Sequence, residues 1–153
     1  KLNPEQVAEV EKKIERRTAR ADKRVDVQDI EYKVRRLIND YLTSPKNPYK
    51  LNRWLEWAHV FERELEEDVA ARNGHELLKT FEVGNIVKCA TFSAVAALER
   101  KESRNGYSHQ RNDFPQQDDK NWLCHVDVHR SKDGAMTAGK RPLNRNLPGG
   151  GAL

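Results

Sequence analysis

The chain has 153 residues, and 28 Lys and Arg against 24 Asp and Glu leave a formal charge of +4, a surplus too small to imply a polyanionic partner. A mean hydropathy of −0.94, with 37% hydrophobic and 34% charged residues, points to a single mainly α domain with thin apolar stripes and wet outer faces. No apolar run approaches the roughly 18 residues of a bilayer span, the first residues carry no apolar leader segment, and Cys89 and Cys124 are too few for a disulfide framework or a four-thiolate cluster, so the expectation is an intracellular chain without direct membrane insertion.

In chain order, Asn3-Pro4-Glu5-Gln6 is a helix start, because Asn3 caps, Pro4 has the φ of a first helical position and Gln6 completes a capping box. The first helix is expected from Pro4 to about Lys23. Its apolar stripe of Val7, Val10, Ile14, Thr18, Ala21 and Val25 is narrow and needs a partner. Asp26 caps a second helix bearing Ile30, Val34, Leu37, Ile38, Tyr41 and Leu42, which Ser44-Pro45 and Asn47-Pro48 end. These two helices are expected to face each other.

A third helix is expected from about Tyr49 to Arg72, with Leu51, Trp54, Leu55, Ala58, Phe61, Leu65 and Val69 on one side and Asn73-Gly74 as a left-handed C-terminal cap. The fourth, from about His75 to Lys101, is apolar around more of its circumference, which makes it the central helix. Gly84 inside it suggests a close approach of another backbone, or a kink. Cys89, at helical spacing beside Ile86 and Ala90, reads as a small core residue.

After Glu102 the period vanishes. Residues 103–121 form a polar loop rich in Arg, Asn, Gln and Asp, and 123–129 and 135–142 read as two strands around Lys132-Asp133-Gly134. The expected fold is thus an antiparallel bundle of three to four helices, then a polar loop and a small β-hairpin. Its divisions are a helical pair (1–48), the bundle core with the Arg-rich loop (49–122), the hairpin (123–142) and a flexible tail (143–153).

Neither a P-loop nor the Gly-rich dinucleotide spacing occurs, so no cofactor is assigned to this chain. His125, Asp127 and His129 alternate and would share one strand face, a candidate metal trio with Cys124 beside it, but no fourth ligand has motif spacing and the reading is no metal. Lys12, Lys13, Arg16, Arg17, Arg20, Lys23 and Arg24 could meet phosphates, yet Glu5, Glu9, Glu11 and Glu15 are interleaved for intrahelical pairs and aromatics are absent. A solvated face is the preferred reading. A stand-alone basic helical module binding nucleic acid or a protein partner is the alternative from another functional class, with no nucleic acid the expectation.

The loop carries more than composition. Leu98-Glu99-Arg100-Lys101, Glu102-Ser103-Arg104, Arg111-Asn112-Asp113-Phe114-Pro115 and Asp118-Asp119-Lys120-Asn121-Trp122 follow one another in order. This series resembles the signature near the C-terminus of the flavoprotein subunits of succinate dehydrogenase, fumarate reductase, aspartate oxidase and adenylylsulfate reductase. Between Arg104 and Asp113 the chain is two residues longer than the succinate dehydrogenase form, closer to the adenylylsulfate reductase alpha subunits, and His75-Glu76-Leu77 and Phe81-Glu82 resemble that branch too. The similarity covers residues 50–142 well and 1–49 only in helical character.

The resemblance implies the C-terminal helical domain of an FAD-dependent oxidoreductase subunit, part of a larger protein in the cytoplasm or on the cytoplasmic face of a membrane complex. FAD and substrate would lie in preceding domains of the parent. The helical domain would pack on the flavin domain and help dock an iron–sulfur subunit, with no catalytic residue of its own. Arg104, His109, Arg111 and Asp113 are the expected interface residues, with Trp122 anchoring the loop.

Overall fold

A computed structural model describes residues 3–19 and 25–143. Arg20, Ala21, Lys23 and Arg24 of the expected first helix, and residues 144–153 of the expected tail, lie outside the described residues. Four long helices come first: α1 (Pro4–Thr18), α2 (Val27–Leu42), α3 (Pro48–Glu67) and α4 (Gly74–Glu99). A loop with one 3₁₀ turn (Gly106–Ser108) and the short α5 (Asp119–Trp122) leads to an antiparallel hairpin, β1 (Cys124–Arg130) and β2 (Met136–Pro142).

Each long helix starts on a side-chain cap that satisfies an orphan N–H. The acceptors are Asn3 for Glu5 N–H (3.0 Å), Asp26 for Gln28 (2.9 Å), Asn47 for Lys50 (2.9 Å) and Asn73 for Glu76 (2.9 Å). Asn73 is therefore the N-cap of α4, with extended backbone at φ −153°, and Gly74 is the first helical residue. The expected left-handed C-cap of α3 does not form. α3 stops earlier, at Glu67, because Val69, Ala70 and Ala71 turn inward, where Val69 bridges to Val25 and Ala71 N–H reaches the Arg17 carbonyl. α4 ends at Glu99 rather than Lys101.

The core joins Ile30 and Val34 of α2, Leu51, Trp54, Ala58, Phe61 and Leu65 of α3, and Val83, Val87, Ala90, Ala94 and Ala97 of α4. Large side chains of α3 pack with small ones of α4 in this core, and each buried large residue contributes about 1.5–3 kcal/mol. α4 is central as expected, touching α1, α2, α3 and both strands. By length and a mean hydropathy of 1.3 it also suffices to cross a membrane, contrary to the sequence expectation; in this fold those neighbours bury about a third of that apolar stretch.

Several finer expectations fail. α1 lies on α4 and reaches Glu66 of α3 through Arg16 and Arg17 instead of facing α2. Its Val7 and Val10 remain exposed, while Arg17, assigned to a solvated face, is buried, with Nη1 donating to Thr80 Oγ1 at 3.1 Å and the guanidinium 4.5 Å from the Phe81 ring centroid. A peripheral helix in this position is held by directional contacts more than by its apolar stripe. No atom approaches Gly84 closely, and Cys89 is exposed, because the α4 face through Leu78, Glu82, Asn85 and Cys89 points away from α2 and α3.

Candidate docking site around Glu102

The polar loop is built on one fully buried carboxylate. Glu102 Oε1 accepts from Arg100 Nη1 at 2.5 Å and Arg104 Nε at 2.7 Å, and Oε2 accepts from Arg104 Nη2 at 3.0 Å and the Asp118 backbone N–H at 2.9 Å. Burial pushes this carboxyl up, but the hydrogen bonds from Arg104, Asp118 and Arg100 outweigh it and hold it below the ordinary carboxylate range. The series Glu102-Ser103-Arg104 thus places an acceptor and its donor two residues apart, which lets the chain reverse around a satisfied charge. Arg104 also binds Asp119 Oδ1 at 2.5 Å, and these two carboxylates raise the pKa of its guanidinium.

Arg111 is the second post. Only 2% exposed, it clasps Asp113 through Nε (2.8 Å) and Nη2 (2.5 Å), while Nη1 donates to the carbonyls of Ala97 and Arg100 at the end of α4. A guanidinium here both caps the helix and opposes its dipole. The Arg111 clasp lowers the Asp113 pKa. His109 Nε2 lies 3.3 Å from the Arg100 carbonyl, which can only accept, so that nitrogen carries the proton. Burial depresses the His109 pKa; the Arg100 carbonyl opposes this, and the charges of Lys46, Arg100 and Arg111 reinforce it.

Backbone contacts complete the frame. Arg104 and His109 exchange N–H donors across the turn at 2.8 and 3.3 Å, and Lys46 pairs with Gln110 and Asn112 from the α2–α3 connection. Ser103 Oγ accepts from Arg111 N–H at 2.8 Å and donates to the Phe114 carbonyl. Asn105 and Gly106 both adopt left-handed conformations, at φ 58° and 57°, and turn the tip outward so that Tyr107 is 87% exposed. Phe114 is exposed beside the Arg111 guanidinium. Trp122 is buried, with Lys140 Nζ 3.5 Å from its ring centroid and its carbonyl accepting from Arg100.

The structure therefore brings Arg104, His109, Arg111, Asp113 and Trp122 into one frame and adds Glu102, Arg100 and Lys46, which sequence reasoning left unassigned. Glu102 stood in the recognised series, and its missing periodic partner was the available signal; Lys46 carried none. His125, Asp127 and His129 share the β1 face, but Asp127 is clasped by Arg141 at 2.6 and 3.2 Å, and among the described residues no group of three or more His, Cys, Asp or Glu side chains is arranged to hold a metal. Among the described residues the sheet is a two-stranded antiparallel hairpin, and they do not form a dinucleotide cradle of strand, Gly-rich turn and helix.

Residues 62–147 match the family described as fumarate reductase flavoprotein C-term. The chain belongs to that family. A fumarate reductase flavoprotein subunit of Mycobacterium tuberculosis H37Rv is 38% identical over 68 residues, 44% of this chain and 11% of that protein. One from Haemophilus influenzae is 42% identical over 60 residues, 39% of this chain and 10% of its own. Among solved structures, adenylylsulfate reductase of Archaeoglobus fulgidus superposes with a TM-score of 0.85 at 23% identity, over 94% of this chain and 25% of that one. FrdA of E. coli quinol fumarate reductase gives 0.79 at 22% identity, over 100% and 28%.

The curated relatives are matched over about a tenth of their length, and the likeness to the solved structures is one of fold. The chain is the C-terminal helical domain of a flavoprotein of this family, and the alternative of a stand-alone basic module is set aside.

Proposed function

We propose that this domain is the packing and subunit-docking part of an FAD-dependent oxidoreductase, with FAD and substrate held by other domains of the parent, in the cytoplasm or on the cytoplasmic face of a membrane complex. The observation that carries the proposal is the loop itself. Its Glu and Arg charges pair internally, yet it presents Tyr107 at its tip and Phe114 beside Arg111 to solvent on a frame tied to α2, α4 and Trp122. A fully satisfied polar frame that holds apolar rings outward is pre-organised for an interface, since little ordering entropy remains to be lost on binding.

In this reading Arg111 and Trp122 act from the interior by setting the loop's shape, while half-exposed Arg104 and His109 and exposed Asp113 form its shoulder. The partners are the flavin domain of the same parent and an iron–sulfur subunit. The test compares full-length protein carrying Tyr107→Ser with Phe114→Ser against Arg111→Ala, measuring retained FAD and co-purified subunit beside thermal unfolding. The tip pair is expected to lose retention at an unchanged unfolding temperature, and Arg111→Ala to lower both. Full retention in the tip variant rejects the docking role.

A further inference from the structure

Beside the loop, on the face formed by the ends of α2 and α4 and the first residues of β1, lies an open groove of about 550 Å³. Its polar lining consists of Lys46, Ser93, Arg100, Ser108, His109 and His125, and it includes no Asp or Glu. The groove thus gathers four nitrogen-bearing side chains and no acid, unlike the helix and hairpin faces where Lys13, Arg35, Arg72 and Arg141 each sit beside a carboxylate.

Of the four, Arg100 is already engaged and Lys46 is not ion-paired among the described residues. Arg100 shares Glu102 with Arg104, and its other donors go to the Trp122 and Cys124 carbonyls. Lys46 is half-buried, donates to the Ser108 carbonyl at 3.0 Å, and has no ion-pair partner among the described residues. The carbonyls ending α4 are occupied by Arg111, so the α4 terminus does not need Lys46 or the imidazoles as a counter-charge. His109 has its proton on Nε2, towards Arg100, which leaves Nδ1 as the nitrogen that gains a proton if an anion arrives.

We propose that this groove is a binding site for a small oxyanion of the phosphate class, received by Lys46 with His109 and His125. The site goes beyond the docking role, and either reading survives the failure of the other. A dianion with several acceptor oxygens can take N–H donors from more than one of these lining side chains, and the groove has volume for an oxyanion carrying a small organic group. Burial first, and then the charges of Lys50 and Arg111, hold the Lys46 pKa below its ordinary value, and burial likewise depresses His109, so an anion bound beside them favours their charged forms.

The test is a titration of this chain with inorganic phosphate at about pH 7.5, where phosphate is largely dianionic, followed by NMR of the imidazole and lysine side chains against chloride at equal ionic strength. Saturable shifts at Lys46, His109 and His125, with a raised His109 pKa, are expected. Lys46→Met should weaken binding by about tenfold or more, the loss of one charge-assisted contact. Lys46 pairs with Gln110 and Asn112 through its backbone, and its side chain adds one bond to the Ser108 carbonyl, so thermal unfolding of Lys46→Met is measured beside binding and should change little. His125→Ala, at an exposed position, should weaken binding less, and Lys33→Met on α2 should leave it unchanged. Equal shifts with chloride, equal binding of acetate, or no loss in Lys46→Met would overturn the proposal.

Discussion

The bundle core and the Glu102 frame are held by opposite kinds of force. In the core, Trp54, Phe61, Ile30 and Val87 are removed from water, and the stabilisation is non-directional and summed over many weak contacts. In the frame, Glu102, Arg104, Arg111 and Asp113 are fixed by a handful of short, oriented bonds whose attraction largely offsets the cost of desolvating the charges. The comparison teaches that the core supplies the stability and the frame supplies a defined shape. Substitutions should separate the two.

The largest effect is expected in the core. Trp54→Ala removes a fully buried ring packed 6.3 Å from Phe61 and should cost about 3–5 kcal/mol in chemical denaturation. Glu102→Gln comes next. It leaves Arg100 and Arg104 short of a carboxylate, but both are partly solvated, so the cost should stay below about 3 kcal/mol. A cost above that of Trp54→Ala would mean that the frame, not the core, dominates stability.

Acid should sharpen the same contrast. Glu102, Asp113 and Asp119 have folded pKa values below their ordinary ones, so their contribution is complete above the unfolded-state carboxylate pKa near 4 and is lost as pH falls through the folded values. His109 has a lowered folded pKa, so the unfolded chain binds more protons below about pH 6.5, and stability falls on acidification from that point. Two losses are expected in an acid titration of the unfolding midpoint. His109→Gln should remove the earlier one and Glu102→Gln part of the later one. The smallest effect is expected at Cys89→Ser, which touches neither region and should change stability by about 0.5 kcal/mol or less.

Much of the bundle was legible because local signals and burial agree. The caps Asn3 and Asp26 were readable as helix starts, whereas Asn47-Pro48 was read only as the end of the second helix and caps α3, and Leu51, Trp54, Ala58, Phe61 and Leu65 at spacings of three and four were readable as one buried face. Asn73-Gly74 was misread because the same dipeptide serves as a C-terminal cap or as an N-cap and first residue. The choice fell to Val69 to Ala71, whose burial ends α3 before it reaches them. The frame's series was recognisable as a pattern of residue types, but its bonding was not, since Glu102 meets Asp118 sixteen residues later and Arg111 meets the end of α4.

What the sequence determined by itself is therefore whatever depends on neighbours within a turn or two: helix starts, apolar faces, the hairpin turn at Gly134 and the order of the loop signature. Tertiary structure alone decided where charges and small residues end up. Arg17 went inside, Cys89 stayed outside and Lys46 came beside His109, because a charge takes its place from partners distant in sequence, and a face is buried only if another helix arrives to cover it.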